Sequence, residues 1–164
     1  MDRLKNWQLF AICVLTWGTT WYAITFQVGY MAPEVGVALR FALAGTVVLA
    51  SCLLRGVGLR FTPRDHALLA LQGSFLYGLS YVCVYHAELY IVSGLVAVGY
   101  SASPLVAGVG ATVLFGVQGT GRFVLGGLRG RAGVVLSFWR EFGRAAGDHG
   151  VLLGALFSIA AVLL

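Results

Sequence analysis

Apolar positions in this chain run on in long blocks, and the charged residues fall between the blocks. No Asp, Glu, Lys or Arg occurs between Lys5 and Glu34, from Phe41 to Leu54, from His66 to Ala87, or from Leu89 to Gly121. A helix crossing a bilayer needs about 20 mostly apolar residues. Each block supplies one, provided the second begins at Pro33 and takes in Glu34 and Arg40. Six segments are predicted, over residues 9–28, 33–54, 66–85, 93–115, 123–139 and 150–164. Pro33 suits the first turn of a helix, where its missing N–H costs nothing. The blocks are too long and too continuous for the alternating strands of about ten residues found in membrane barrels. Continuous helices also satisfy every backbone polar group inside lipid. The predicted class is therefore all-α, a polytopic helical membrane protein.

Composition strengthens this picture. Of the 164 residues, 59% are apolar and 10% charged, whereas a soluble domain carries about 25% charged residues. So few charges do not clothe a surface in water, and the lipid bilayer is the expected solvent. The net charge of +5 does not point to nucleic acid, because the basic residues are spread between apolar blocks instead of gathered on one face. Cys13, Cys52 and Cys83 lie in three separate blocks with no metal-ligand spacing, and are expected to be small packing residues. Neither a phosphate-binding Gly-rich loop nor GxSxG nor HExxH is present, so neither an enzyme nor a cofactor is expected. The opening MDRLKNW precedes an apolar run longer than the ~7–15 residues of a signal peptide. That run is interrupted by Thr16, Thr19 and Thr20, which marks a retained first helix.

Loop charges set an orientation. Arg3 and Lys5 precede the first helix, and Arg55, Arg60 and Arg64 follow the second. The connections near Gly29 and Ile91 carry no basic residue. The positive-inside rule then places the N-terminus in the cytoplasm of a multi-pass protein in the cell (inner) membrane. The fifth segment leaves two placements open. If it spans, Arg129 and Arg131 enter the membrane, each at about 2.5–3.5 kcal/mol on the insertion scale. If it lies on the cytoplasmic surface, the arginines from Arg122 to Arg144 all stay inside, which charge alone prefers. At a rise of 1.5 Å, the sixth segment reaches only about 22 Å and stops within the apolar run AVLL, as a truncated product would.

Several polar and aromatic residues stand out on these helices. Thr16, Thr20 and Gln27 lie near one face of the first, with Trp17 and Trp21 beside them. They line a solute cavity, or the threonines bond their own helix and the indoles pack. On the third, Ser74, Tyr77, Tyr81, Tyr85 and Glu88 form one stripe. Phenolic rings suit cations or amphipathic solutes. Glu88 would take up a proton or bind a cationic group, or simply sit in the outer interface. His86 is two residues from Glu88, so the two diverge on a helix. The fourth helix is rich in small residues, Ser101 among them, that allow close packing. Its Pro104 frees a carbonyl near mid-membrane, as in helices that border transport cavities. Arg40 lies roughly 10 Å into the second helix. It snorkels outward, or it faces the bundle and meets an anionic group or a carbonyl.

WGTTWYAI from Trp17, APEVGVALRFALAG from Ala32, HAELYIVSGLVAVGYSASPLVA from His86 and AGVV from Ala132 follow one another in order. With this order and spacing the chain resembles the EamA-type repeat of the drug/metabolite transporter superfamily over about residues 8–138. The resemblance implies ten helices in two inverted five-helix repeats, with solute bound centrally and no ATP consumed. Residues 1–139 would form one repeat, 140–149 a loop, and 150–164 the start of a sixth helix. Trp17, Gly18, Arg40, Glu88, Ser93, Gly94 and Pro104 match the family pattern by position. The chain departs from it at Val117, where an acid commonly follows Gly116, and at Arg129 and Arg131.

The expected function is a subunit or fragment of a secondary transporter for small organic metabolites or drugs. It would work by alternating access, coupled to protons or a second solute. Its partners would be lipid, the small-molecule solute, and a second repeat or a second copy of the chain. The cavity candidates are Thr16, Trp17, Thr20, Trp21, Arg40, Tyr77, Tyr81, Glu88, Ser101 and Pro104. The alternative is a non-transporting truncated membrane remnant or scaffold.

Overall fold

A computed structural model describes residues 5–117, 121–145 and 149–164. Arg3 therefore lies outside the described residues, as do the side chains of Arg122, Arg131, Arg140 and Arg144. Among the described residues six helices appear: α1 (Asn6–Thr25), α2 (Pro33–Leu54), α3 (Pro63–Glu88) and α4 (Ser93–Phe115), α5 (Gly121–Ala145) and α6 (His149–Leu163). Among the described residues, α2, α3 and α4 are long and apolar enough to cross a membrane. The chain is an all-α, multi-pass membrane protein. α1 has the length, at 20 residues, but Asn6, Gln8 and its threonines lower its hydropathy.

Local chemistry explains the helix ends. Pro33 opens α2, and Pro63 opens α3 behind Thr62, whose hydroxyl accepts from the Asp65 N–H at 3.2 Å and donates to its carboxylate at 2.7 Å. α4 stops at Gly116, which takes the left-handed conformation with φ +66° that glycine adopts without strain. α5 continues to Ala145, through residues expected in the 140–149 loop. Hydropathy falls at Arg140, but charge does not end a helix, and no proline intervenes.

Two helices are irregular. α3 widens to a π-helix over Ser74–Leu79, a feature often found at functional sites. α4 breaks at Ser101 and Ala102, between Ser93–Tyr100 and Ser103–Phe115. Pro104 has no N–H for the Tyr100 carbonyl one turn back. The Ser103 hydroxyl takes that place, donating to the Tyr100 carbonyl at 2.6 Å.

The buried core sits at the end of the bundle that carries the 26–32 and 89–92 turns. Ile24, Val37, Val84, Tyr85 and Val96 meet there with Ala161 of α6. Elsewhere large apolar side chains face outward, among them Leu43, Val47, Leu54, Val113 and Phe115. Such a surface fits hydrocarbon. α6 runs antiparallel to the last turns of α3. The fully buried Ser80 donates to the Ala161 carbonyl at 2.7 Å, Phe157 stacks on His86 with ring centroids 5.0 Å apart, and Gly154 lies against Tyr90 and Ile91. α5 packs along α4, with Phe123 against Gly108 and Gly127 against Leu105. That pairing brings Arg129, two residues beyond Gly127, close to the level of the α4 break.

Candidate functional site

Near the same end, aromatic side chains from four helices converge on one arginine. Arg40 of α2 points into the bundle, half-buried. Its guanidinium lies 5.6 Å from the centroid of Phe41 and 5.4 Å from that of Tyr81. Of the two orientations open for Arg40, the structure therefore has the inward one. Phe41 packs on Tyr77 at 5.4 Å and on Tyr81 at 4.9 Å. Tyr81 meets Tyr100 of α4 at 6.3 Å, and Tyr100 meets Trp21 of α1 edge to face at 5.9 Å.

Helix spacing explains why these residues assemble. Tyr77, Tyr81 and Tyr85 recur every fourth residue, so they share one face of α3. Arg40 and Tyr81 each lie about 10 Å from the turn end of their helix, which brings them to one level. Beneath the rings a polar chain fixes the arginine. Arg40 Nη1 donates to the Tyr85 hydroxyl at 3.4 Å, and that hydroxyl donates to Gln27 Oε1 at 2.6 Å. Tyr85 is buried and its ring fills the space beside Gly36, where a Cβ would lie 3.1 Å from Tyr85 Cε1. Ser80 adds a second link, 3.3 Å from the Tyr100 hydroxyl.

Glu88 ends the α3 stripe, half-buried. The Ser93 hydroxyl donates to its Oε2 at 2.5 Å, while its buried Oε1 has no hydrogen-bond partner among the described residues. His86 turns away from Glu88 and pairs with Glu34 of α2 at 2.9 Å.

Of the residues singled out from the sequence, Trp21, Arg40, Tyr77 and Tyr81 come together, with Glu88 further along the α3 stripe. Tyr77 stands at the rim, 49% exposed. Thr20 bonds back to the Thr16 carbonyl at 2.9 Å. Thr16 and Pro104 are exposed, Trp17 is 59% exposed, and Ser101 bonds its own helix at Val98 at 2.6 Å. None of these shares a ring contact with the cluster. Phe41 and Tyr100 were missed. Phe41 directly follows Arg40, and Tyr100 lies seven residues into α4, as Arg40 does in α2; that common depth was the available signal.

Residues 6–139 match the EamA-like transporter family. An uncharacterized transporter of Archaeoglobus fulgidus is 33% identical over 107 residues, covering 62% of this chain and 36% of that protein. The protein PagO of Salmonella typhimurium is 32% identical over 107 residues, covering 65% of this chain and 35% of that protein. The matched stretch thus spans little more than a third of either relative. No solved structure matches the chain. The chain belongs to the EamA-like transporter family.

Proposed function

From that membership we propose that the chain is one repeat of a secondary carrier for small organic solutes, and that the aromatic cluster around Arg40 is its share of the solute cavity. The carrying observation is the convergence of Trp21, Arg40, Tyr81 and Tyr100 from four helices on one level. Rings from separate helices form a wall that changes shape when those helices rock, as alternating access requires. A second repeat or a second copy of the chain supplies the facing wall. Arg55 and Arg60 after α2 and Arg64 in the first turn of α3 support a cytoplasmic position for that end of the bundle, in the cell (inner) membrane. Glu88, one of whose carboxylate oxygens has no hydrogen-bond partner among the described residues, is the proposed proton-coupling group.

The test is flux. Proteoliposomes holding the chain are offered labelled amino acids, small carboxylic acids and quaternary ammonium ions across an imposed pH gradient. At least one solute should enter faster than into empty liposomes, and a protonophore should slow it. Folded, helical protein that moves none of them would favour the second reading, a non-transporting membrane scaffold. The arginine-bearing α5, packed along α4, is the observation on that side.

A further inference from the structure

We infer that Arg40 is the anchor for the carboxylate of an aromatic or otherwise apolar organic acid, so that the solute of this site is an organic anion. This deepens the solute-cavity proposal above and rests on it.

A guanidinium carries five N–H donors in a fixed fork and accepts nothing. Arg40 makes one hydrogen bond among the described residues, the long 3.4 Å contact to the Tyr85 hydroxyl. That hydroxyl has given its own proton to Gln27, so it holds Arg40 as an acceptor. Phe41 and Tyr81 cover the guanidinium with ring faces, which offer no acceptor to the remaining N–H groups. No carboxylate of the neighbouring helices pairs with Arg40 among the described residues. Glu34 contacts His86, and Glu88, near enough for its charge to act on Arg40, gives one oxygen to the Ser93 hydroxyl. A half-buried fork with most donors unmatched suits the two oxygens of a carboxylate. The surrounding rings suit an apolar body attached to it. A cationic solute would meet Arg40 as a like charge, and the Phe41 and Tyr81 faces that attract cations already hold Arg40.

Three probes of nearly equal shape separate charge from shape: phenylacetate, phenylacetamide and phenethylamine. Their binding is measured by calorimetry to the whole chain in nanodiscs wide enough for two copies. Phenylacetate should bind at least ten-fold more tightly than phenylacetamide, and phenethylamine more weakly than both. Arg40→Gln should abolish the preference for phenylacetate and leave phenylacetamide binding within two-fold. Arg40→Lys should keep part of the preference. Circular dichroism confirms that each variant stays helical. Tightest binding of phenethylamine, or unchanged phenylacetate binding in a folded Arg40→Gln, overturns the anion assignment. If the uncharged probe still binds and Tyr100→Ala removes it, the solute cavity itself survives. Should none of the three bind, both the cavity and the anion assignment fall.

Discussion

The hydroxyl of Tyr85 donates to Gln27 Oε1 at 2.6 Å, tying α3 to the turn after α1 near the level where Arg40 arrives from α2. Tyr85 is also among the largest fully buried side chains. One residue thus packs the core and orients Arg40 within the ring cluster. Tyr85→Phe keeps the packing and removes the hydroxyl. It should cost about 1 kcal/mol, the net value of one hydrogen bond, read as a lower melting midpoint in detergent. Unchanged stability would mean that the Gln27 contact contributes nothing.

The hydroxyl of Ser103 stands in for the N–H that Pro104 lacks. Ser103→Ala strips the Tyr100 carbonyl of its partner in a low-dielectric setting and should cost about 0.6–2 kcal/mol. Ser103→Thr should be nearly neutral. Pro104→Ala restores the N–H, so in that background Ser103→Ala should lose its effect. A double-mutant cycle on thermal stability checks this, and purely additive effects would contradict it.

Most helix positions were legible in the sequence, because length and hydropathy mark where lipid ends. Pro33, the uncharged blocks and the tyrosine stripe of α3 all reappear in the structure. The rotation of each helix was not legible. A helix that is apolar all round carries no stripe to say which side faces its neighbours. Phe41 and Tyr100 therefore went unseen, while Thr16, Trp17, Ser101 and Pro104 were named and lie outside the ring contacts. The short α6, expected as the start of a sixth helix, is packed closely on α3. Its buried Gly154, Ser158 and Ala161 allow that approach, and small residues are common enough in membrane helices to hide it.

Gly154 is the close-approach point of α6. A Cβ there would lie 3.0 Å from Tyr90 Cβ and from Ile91 Cγ2. Gly154→Val should push α6 off α3, at about 1–3 kcal/mol for overpacking. A cysteine pair at Ser80 and Ala161, in a background lacking the native cysteines, should cross-link in the parent and much less in the variant. Equal cross-linking would show that the contact yields without cost.

One oxygen of Glu88 has no hydrogen-bond partner among the described residues, and Glu88 is the proposed coupling group. Glu88→Gln keeps an acceptor for Ser93 but does not cycle a proton. It should lower gradient-driven uptake at least ten-fold and leave solute exchange without a gradient, and assembly, intact. Wild-type uptake under a pH gradient would remove Glu88 from the coupling step.

The most direct test of the central claim, that the ring cluster lines the solute path, is chemical access to Tyr81. With the native cysteines replaced, Tyr81→Cys is treated in membranes with a small water-soluble thiol reagent, with and without a transported solute. The cysteine should react, and saturating solute should slow the reaction at least five-fold. A cysteine that never reacts while the protein still transports, or one that reacts at the same rate with solute present, would place the path elsewhere.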